Sequence, residues 1–170
     1  MALIKTVRGF EPQIGMNCYL AETATIIGDV TIGDDCSIWF NAVLRGDVNS
    51  IKVGNKVNIQ DGAIVHVTYQ KHATIIGNNV SIAHGAIIHG CTINDNVLIG
   101  MGAIVMDGAV IESNSIVAAG ALIKQGTVVK SGSVYGGSPA KLIKEISLDL
   151  VENQIERIAN NYLMYAGWYK

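Results

Sequence analysis

The chain has 170 residues, 12 basic and 14 acidic side chains, a net charge of −2 at pH 7 and a hydrophobic fraction of 49%. That is one domain's length with enough apolar material for a sizeable core, which excludes disorder of the low-hydrophobicity, high-charge kind. Lys and Arg are scattered rather than clustered, so no nucleic-acid partner is expected.

Met1-Ala2-Leu3-Ile4-Lys5 does not open a secretory signal pattern. No apolar run approaches the roughly 18 to 20 residues of a membrane span. The expectation is a cytoplasmic protein with no membrane partner. Three cysteines without paired spacing argue against an oxidised scaffold, and Cys18, Cys36 and Cys91 are expected to be packing residues.

Aliphatic residues recur at every sixth position: Ile14, Leu20, Ile26, Ile32, Ile38, Leu44; then Val53, Ile59, Val65; then Ile76, Ile82, Ile88; then Ile93, Ile99, Val105, Ile111, Val117, Ile123, Val129. Four places after many of them stands a small or β-branched residue, such as Cys36, Ala42, Ala63, Ala86 or Ala103. Such a period, punctuated by Gly, Asn and Asp, fits short strands and turns rather than a helix. Three hexads closing a triangular coil give an all-β solenoid, a parallel β-helix whose coils stack roughly 4.8 Å apart. About six coils are expected on that spacing.

The count slips three times, by steps of nine (Leu44 to Val53), eleven (Val65 to Ile76) and five (Ile88 to Ile93). The first two slips are insertions, the longer one a loop at about residues 67–75. The repeats fill residues 1–135, residues 136–146 form a connector, and residues 147–170 form a C-terminal helix and tail. Ser147 can cap that helix, and Leu148, Val151, Ile155, Ile158, Tyr162 and Tyr165 give it one apolar face. Tyr162 is expected in core packing and His72, in the loop, in solvent.

With the insertions set aside, the hexads at Leu44, Val65 and Ile88 share one face, so Arg45, His66 and His89 form one column. The hexads at Ile59 and Ile82 share the adjacent face, aligning Asp61 with His84. Two imidazoles one coil apart can share a metal. The simplest third ligand is then a His84 from another copy, which a closed three-fold assembly supplies at three composite sites. Three imidazoles and a water make the open tetrahedral arrangement of a catalytic zinc.

The motifs Arg45-Gly46-Asp47, Asn58-Ile59-Gln60-Asp61-Gly62-Ala63-Ile64-Val65-His66 and Ala83-His84-Gly85-Ala86-Ile87-Ile88-His89-Gly90-Cys91 resemble the γ-class carbonic anhydrase-like family, including its ferripyochelin-binding-like branch. The resemblance covers roughly residues 10–165. It implies a left-handed β-helix with a C-terminal α-helix, assembled as a homotrimer. It implies zinc, or iron or cobalt, held by His66, His89 and a neighbour's His84. The implied reaction is reversible hydration of CO₂ to bicarbonate by a metal-activated water.

By the same resemblance, Gln60 orients that water with Asn58 nearby, and Asp61 is a supporting or interface carboxylate. Arg45 and Asp47 form an interface ion pair near the anion side of the site. A plain surface salt bridge and coil-corner turn residues are the corresponding bland alternatives. The family's efficient members carry glutamates on acidic loops for proton relay. Here Asp47 is followed by Val48-Asn49-Ser50, and the loop after His66 offers Tyr69, Lys71 and His72, which implies slow turnover. A CoA-dependent hexapeptide acyltransferase and a non-catalytic metal-holding trimer are the competing functions.

Overall fold

A computed structural model describes residues 1–169. The register of the strand pairs sorts all nineteen aliphatic positions into three inward columns. One runs Ile26, Leu44, Val65, Ile88, Val105, Ile123. The second runs Ile14, Ile32, Val53, Ile76, Ile93, Ile111, Val129. The third runs Leu20, Ile38, Ile59, Ile82, Ile99, Val117. All but Ile14 and Leu20 at the first coil are buried, and together with the small residues between them they form one continuous core.

The result is a parallel β-solenoid of about seven turns with a single C-terminal helix. The turn beyond the six expected comes from the ends, where Leu3–Lys5 pairs with Thr25–Ile27 and Val134 pairs with Ile116 outside the hexad series. Corners turn on residues in the left-handed region. One corner stacks Asn17, Asp35, Lys56, Asn79, Asn96 and Asn114, all with φ of 55–57°. Beside it, side-chain oxygens of Asp34, Asn55, Asn78 and Asp95 each accept a backbone N–H from the preceding coil at 2.6–2.9 Å, lacing coils together.

The nine-residue step is not a loop. Val43–Val53 is one strand spanning two faces, and its pairing jumps from Gly28↔Gly46 to Val30↔Ile51, so residues 47–50 bulge opposite Asp29 alone. The longer insertion is a tight excursion closed by the Thr68↔His72 bridge, with the next strand beginning at Thr74.

The connector residues 136–146 carry β-structure: Ala140–Glu145 folds back antiparallel on Ser133–Gly137 and becomes the edge strand of its sheet. Ser147 then caps the helix by accepting from Leu150 N–H at 3.3 Å. A π-helical turn over Val151–Glu156 widens the spacing, which takes Leu148 out of line and leaves it 82% exposed. Ile155 packs on Leu98, Ile116 and Val134, fixing the helix against one face. Among the described residues, no helix is long and apolar enough to cross a membrane.

Close stacking makes two glycines informative. A Cβ on Gly54 meets the Gly77 backbone at 2.7 Å, whereas one on Gly62 meets nothing but sits at φ +67°. Gly54→Ala should therefore cost about 3 kcal/mol of overpacking, and Gly62→Ala about 1 kcal/mol of backbone strain. Urea unfolding of the two variants checks the order.

Candidate functional site

The strand Ile64–His66 lies in register with Ile87–His89, so His66 and His89 are direct cross-strand neighbours. Val65 and Ile88 point inward between them, which turns both imidazoles outward. The rings lie 5.1 Å apart, with His66 Nδ1 and His89 Nε2 separated by 3.1 Å. Each ring's other nitrogen meets a carboxylate. His66 Nε2 is 3.1 Å from Asp47 Oδ1, and His89 Nδ1 is 2.6 Å from Asp107 Oδ1. Asp47 in turn takes a short ion pair from Arg45, and Asp107 accepts from the Thr68 hydroxyl at 2.7 Å.

This chain of contacts sets tautomers. A ring that donates its outer N–H to a carboxylate leaves its inner nitrogen as a lone pair. His66 and His89 thus turn two lone pairs toward one another, which is tolerable only with a proton or cation between them. Protonation is disfavoured at His66, where burial lowers the ring's affinity for a proton despite the hydrogen bond to Asp47. At Asp47 burial pushes the carboxyl upward, but hydrogen bonds from Arg45 and His66 outweigh it and hold it below the usual range. Asp107 behaves likewise, with His89 and Thr68 overcoming burial. Tetrahedral binding at about 2.0–2.1 Å needs nitrogens roughly 3.4 Å apart, close to the spacing here.

His84 stands in the second column, as its alignment with Asp61 requires. Its Nδ1 is 2.9 Å from Asp61 Oδ2, and its Nε2 is 3.4 Å from the Tyr162 hydroxyl of the helix. His84 therefore repeats the carboxylate–histidine arrangement of the other column. Among the described residues, no group of three or more His, Cys, Asp or Glu side chains in one chain can enclose a metal. Asn58 and Gln60 precede Asp61 on the face that carries His84, where both are buried. Gln60 Nε2 donates to Asn58 Oδ1 at 2.9 Å, and Asn58 Nδ2 donates to Ser81 Oγ at 2.8 Å.

Asp107 and Thr68 are missing from the sequence-derived set. Asp107 stands 18 residues after His89, one position past the in-register neighbour in the next coil. It sits over Gly90, where an added Cβ would lie 2.3 Å from its carboxylate, so the glycine opens its route to His89. His72 is not in solvent: it is half-buried, packed over Gly90 and Gly108. Tyr162 packs on Trp39 as expected and also reaches His84. Cys36 and Cys91 are buried and form no disulfide, and burial pushes the Cys91 thiol up to about 12.

The family description bacterial transferase hexapeptide (six repeats) matches residues 11–46 and 90–125. A carbonic anhydrase of Geobacillus kaustophilus is 42% identical over 99% of this chain and 91% of its own. The mitochondrial gamma carbonic anhydrase 1 of Arabidopsis thaliana is 46% identical over 89% of this chain, which spans only 56% of that protein. The chain belongs to the γ-class carbonic anhydrase-like family of hexapeptide-repeat proteins. The coil is accordingly the left-handed β-helix of that family. A crystal structure of a hexapeptide transferase family protein from Anaplasma phagocytophilum superposes with a TM-score of 0.94, at 40% identity, over 99% of this chain and 98% of the other.

The shifted groups give a pH signature in metal-free protein. Below about pH 6.5 an unfolded histidine takes a proton that folded His66 resists, so stability falls as pH drops from there to the lowered folded value. Asp47 adds stability that is full above the ordinary carboxylate pKa and lost as pH falls through its lower folded one. Thermal unfolding with a chelator should show both limbs, and His66→Gln should erase the upper one. A midpoint unchanged between pH 7 and 5 contradicts the assignment.

Proposed function

We propose that the protein is a metal-dependent carbonic anhydrase that interconverts CO₂ and bicarbonate at sites shared between copies of the chain. The observation that carries this is the set of three histidines, each with a carboxylate on one ring nitrogen: Asp47–His66, Asp107–His89 and Asp61–His84. Such carboxylate–histidine pairs fix ring orientation and raise ligand basicity. His66 and His89 of one copy with His84 of the next would hold zinc, with iron or cobalt as alternatives.

Association has a surface to use. Ile64, Ile87, Ile104 and Leu122 stack in register two positions before the histidine column, with Ile64 42% and Ile104 37% exposed. That aliphatic ladder supports a homotrimer in which it is covered. When bound, the metal supplies a water acidic enough to be a nucleophile near neutral pH. Gln60, tied to Asn58 through its amide N–H, keeps its carbonyl oxygen as an acceptor that orients the water. Arg45, fixed by Asp47, offers positive charge to bicarbonate.

Residues 48–50 and the loop 67–75 carry no carboxylate to relay the proton to solvent. Slow turnover that rises with buffer concentration follows. An acyltransferase is the second possibility, favoured by the transferase name of the Anaplasma phagocytophilum structure. Metal analysis of the purified assembly with stopped-flow CO₂ hydration separates them. One divalent ion per chain and buffer-dependent hydration are expected. His84→Ala should release the metal and lower hydration by more than about 10²-fold while leaving the β-sheet circular dichroism intact. Full metal occupancy in that variant, or acyl-CoA turnover without hydration, contradicts the proposal.

A further inference from the structure

The first two coils hold two cysteines one above the other. Tyr19 pairs in register with Ser37, and the residues just before them are Cys18 and Cys36. Both belong to the small-residue column that turns inward, continued by Val57, Val80, Val97 and Ser115 in the coils beyond. The Tyr19 N–H donates to the Cys36 carbonyl at 2.9 Å, which ties the two backbones together at this point. One coil spacing, roughly 4.8 Å, falls within the about 4.4–6.8 Å between Cα atoms that a disulfide bridges.

The sulfurs meet as well as the backbones. Cys36 shares a thiol hydrogen bond with Cys18, which together with burial holds the Cys36 thiol protonated, well above its usual range. Cys18 Sγ leans toward the second coil, where it donates to Gly33 O at 3.2 Å. Cys36 Sγ donates to Gly54 O at 3.1 Å, a weak bond that it gives up on bonding to sulfur.

Access separates their roles. Cys36 is 1% exposed, whereas Cys18 is half-buried in the coil where the sheet ends, beside the edge strand Tyr19–Leu20. That strand is paired on one side only, so its coil can yield the fraction of an ångström by which the Cβ atoms must close to about 3.8 Å. Cys91 gives the contrast: its neighbours in register are Thr74 and Ala109, neither with a sulfur.

We propose that Cys18 and Cys36 form an oxidative cross-linking site, at which a small disulfide oxidant joins the edge coil to the coil beneath it. Cys18 reacts first, its proton passing to buffer. Its sulfur bonds to one sulfur of the oxidant, the oxidant's S–S bond breaks, and the leaving thiolate recovers a proton. Cys36 then bonds to the Cys18 sulfur, and the second leaving thiolate takes up the Cys36 proton. Two protein thiols are oxidised and one small disulfide is reduced to two thiols. Neither histidine column takes part.

The assembled protein is treated in mildly alkaline buffer with hydroxyethyl disulfide, which spares the exposed methionines, then unfolded and alkylated. Wild type should lose the mass of two hydrogens and keep one alkylatable thiol, Cys91. A non-reducing digest that cuts after Glu22 should leave the Cys18 and Cys36 peptides joined. In Cys36→Ser, tolerable because Ser115 occupies the same column, the reaction should stop at a mixed disulfide on Cys18. In the cross-linked protein the Tyr19 amide should exchange with solvent at least about tenfold more slowly. Three alkylatable thiols after exhaustive treatment, a mixed disulfide that persists on wild-type Cys18, or cross-links between chains would overturn the pairing. Unchanged Tyr19 exchange would overturn the tie between coils.

Discussion

Everything at the histidine cluster rests on parallel coils stacking in register. Neighbouring coils are tied by backbone hydrogen bonds at one strand spacing, so a side chain's neighbour is fixed by counting residues. Val65 over Ile88 inside the coil forces His66 beside His89 outside it. A one-residue slip would turn the imidazoles into the core, which the apolar columns forbid. The site therefore needs no loop to order it, and the same force that buries the isoleucines aims the imidazoles.

Electrostatics then gives that geometry its chemistry. Asp47 and Asp107 take the outer N–H groups, leaving inner lone pairs that repel unless a cation joins them. Arg45 and Thr68 hold the carboxylates in turn. One chain offers two such rings in one column and His84 in another, each with its own carboxylate. The incomplete set and the exposed aliphatic ladder beside it point to a single remedy, a second copy, which would complete the coordination and cover the apolar surface together.

The coil and both histidine columns were legible because a six-residue period is a local signal repeated nineteen times. What the sequence concealed has identifiable causes. Asp107 belongs to a corner where Asp-Gly reads as a turn, and the five-residue step after Ile88 obscures which residue it approaches. Residues 47–50 could be recognised as inserted but not as a bulge, because only pairing with Asp29 and its neighbours decides between bulge and loop. The π-helical turn moves Leu148 outward without any Gly or Pro to mark it. Trp39 meets Tyr162 of the helix, a contact no period encodes.

The central claim, that each metal site draws on two chains, is tested most directly by subunit mixing. His84→Ala and His89→Ala chains, each inactive alone, are unfolded together and reassembled at equal amounts. Random assembly of a shared-site trimer joins an intact His66–His89 pair to an intact neighbouring His84 at about a quarter of sites, so about a quarter of the wild-type metal content and hydration should return. No recovery, in assemblies shown to contain both chains, would contradict it.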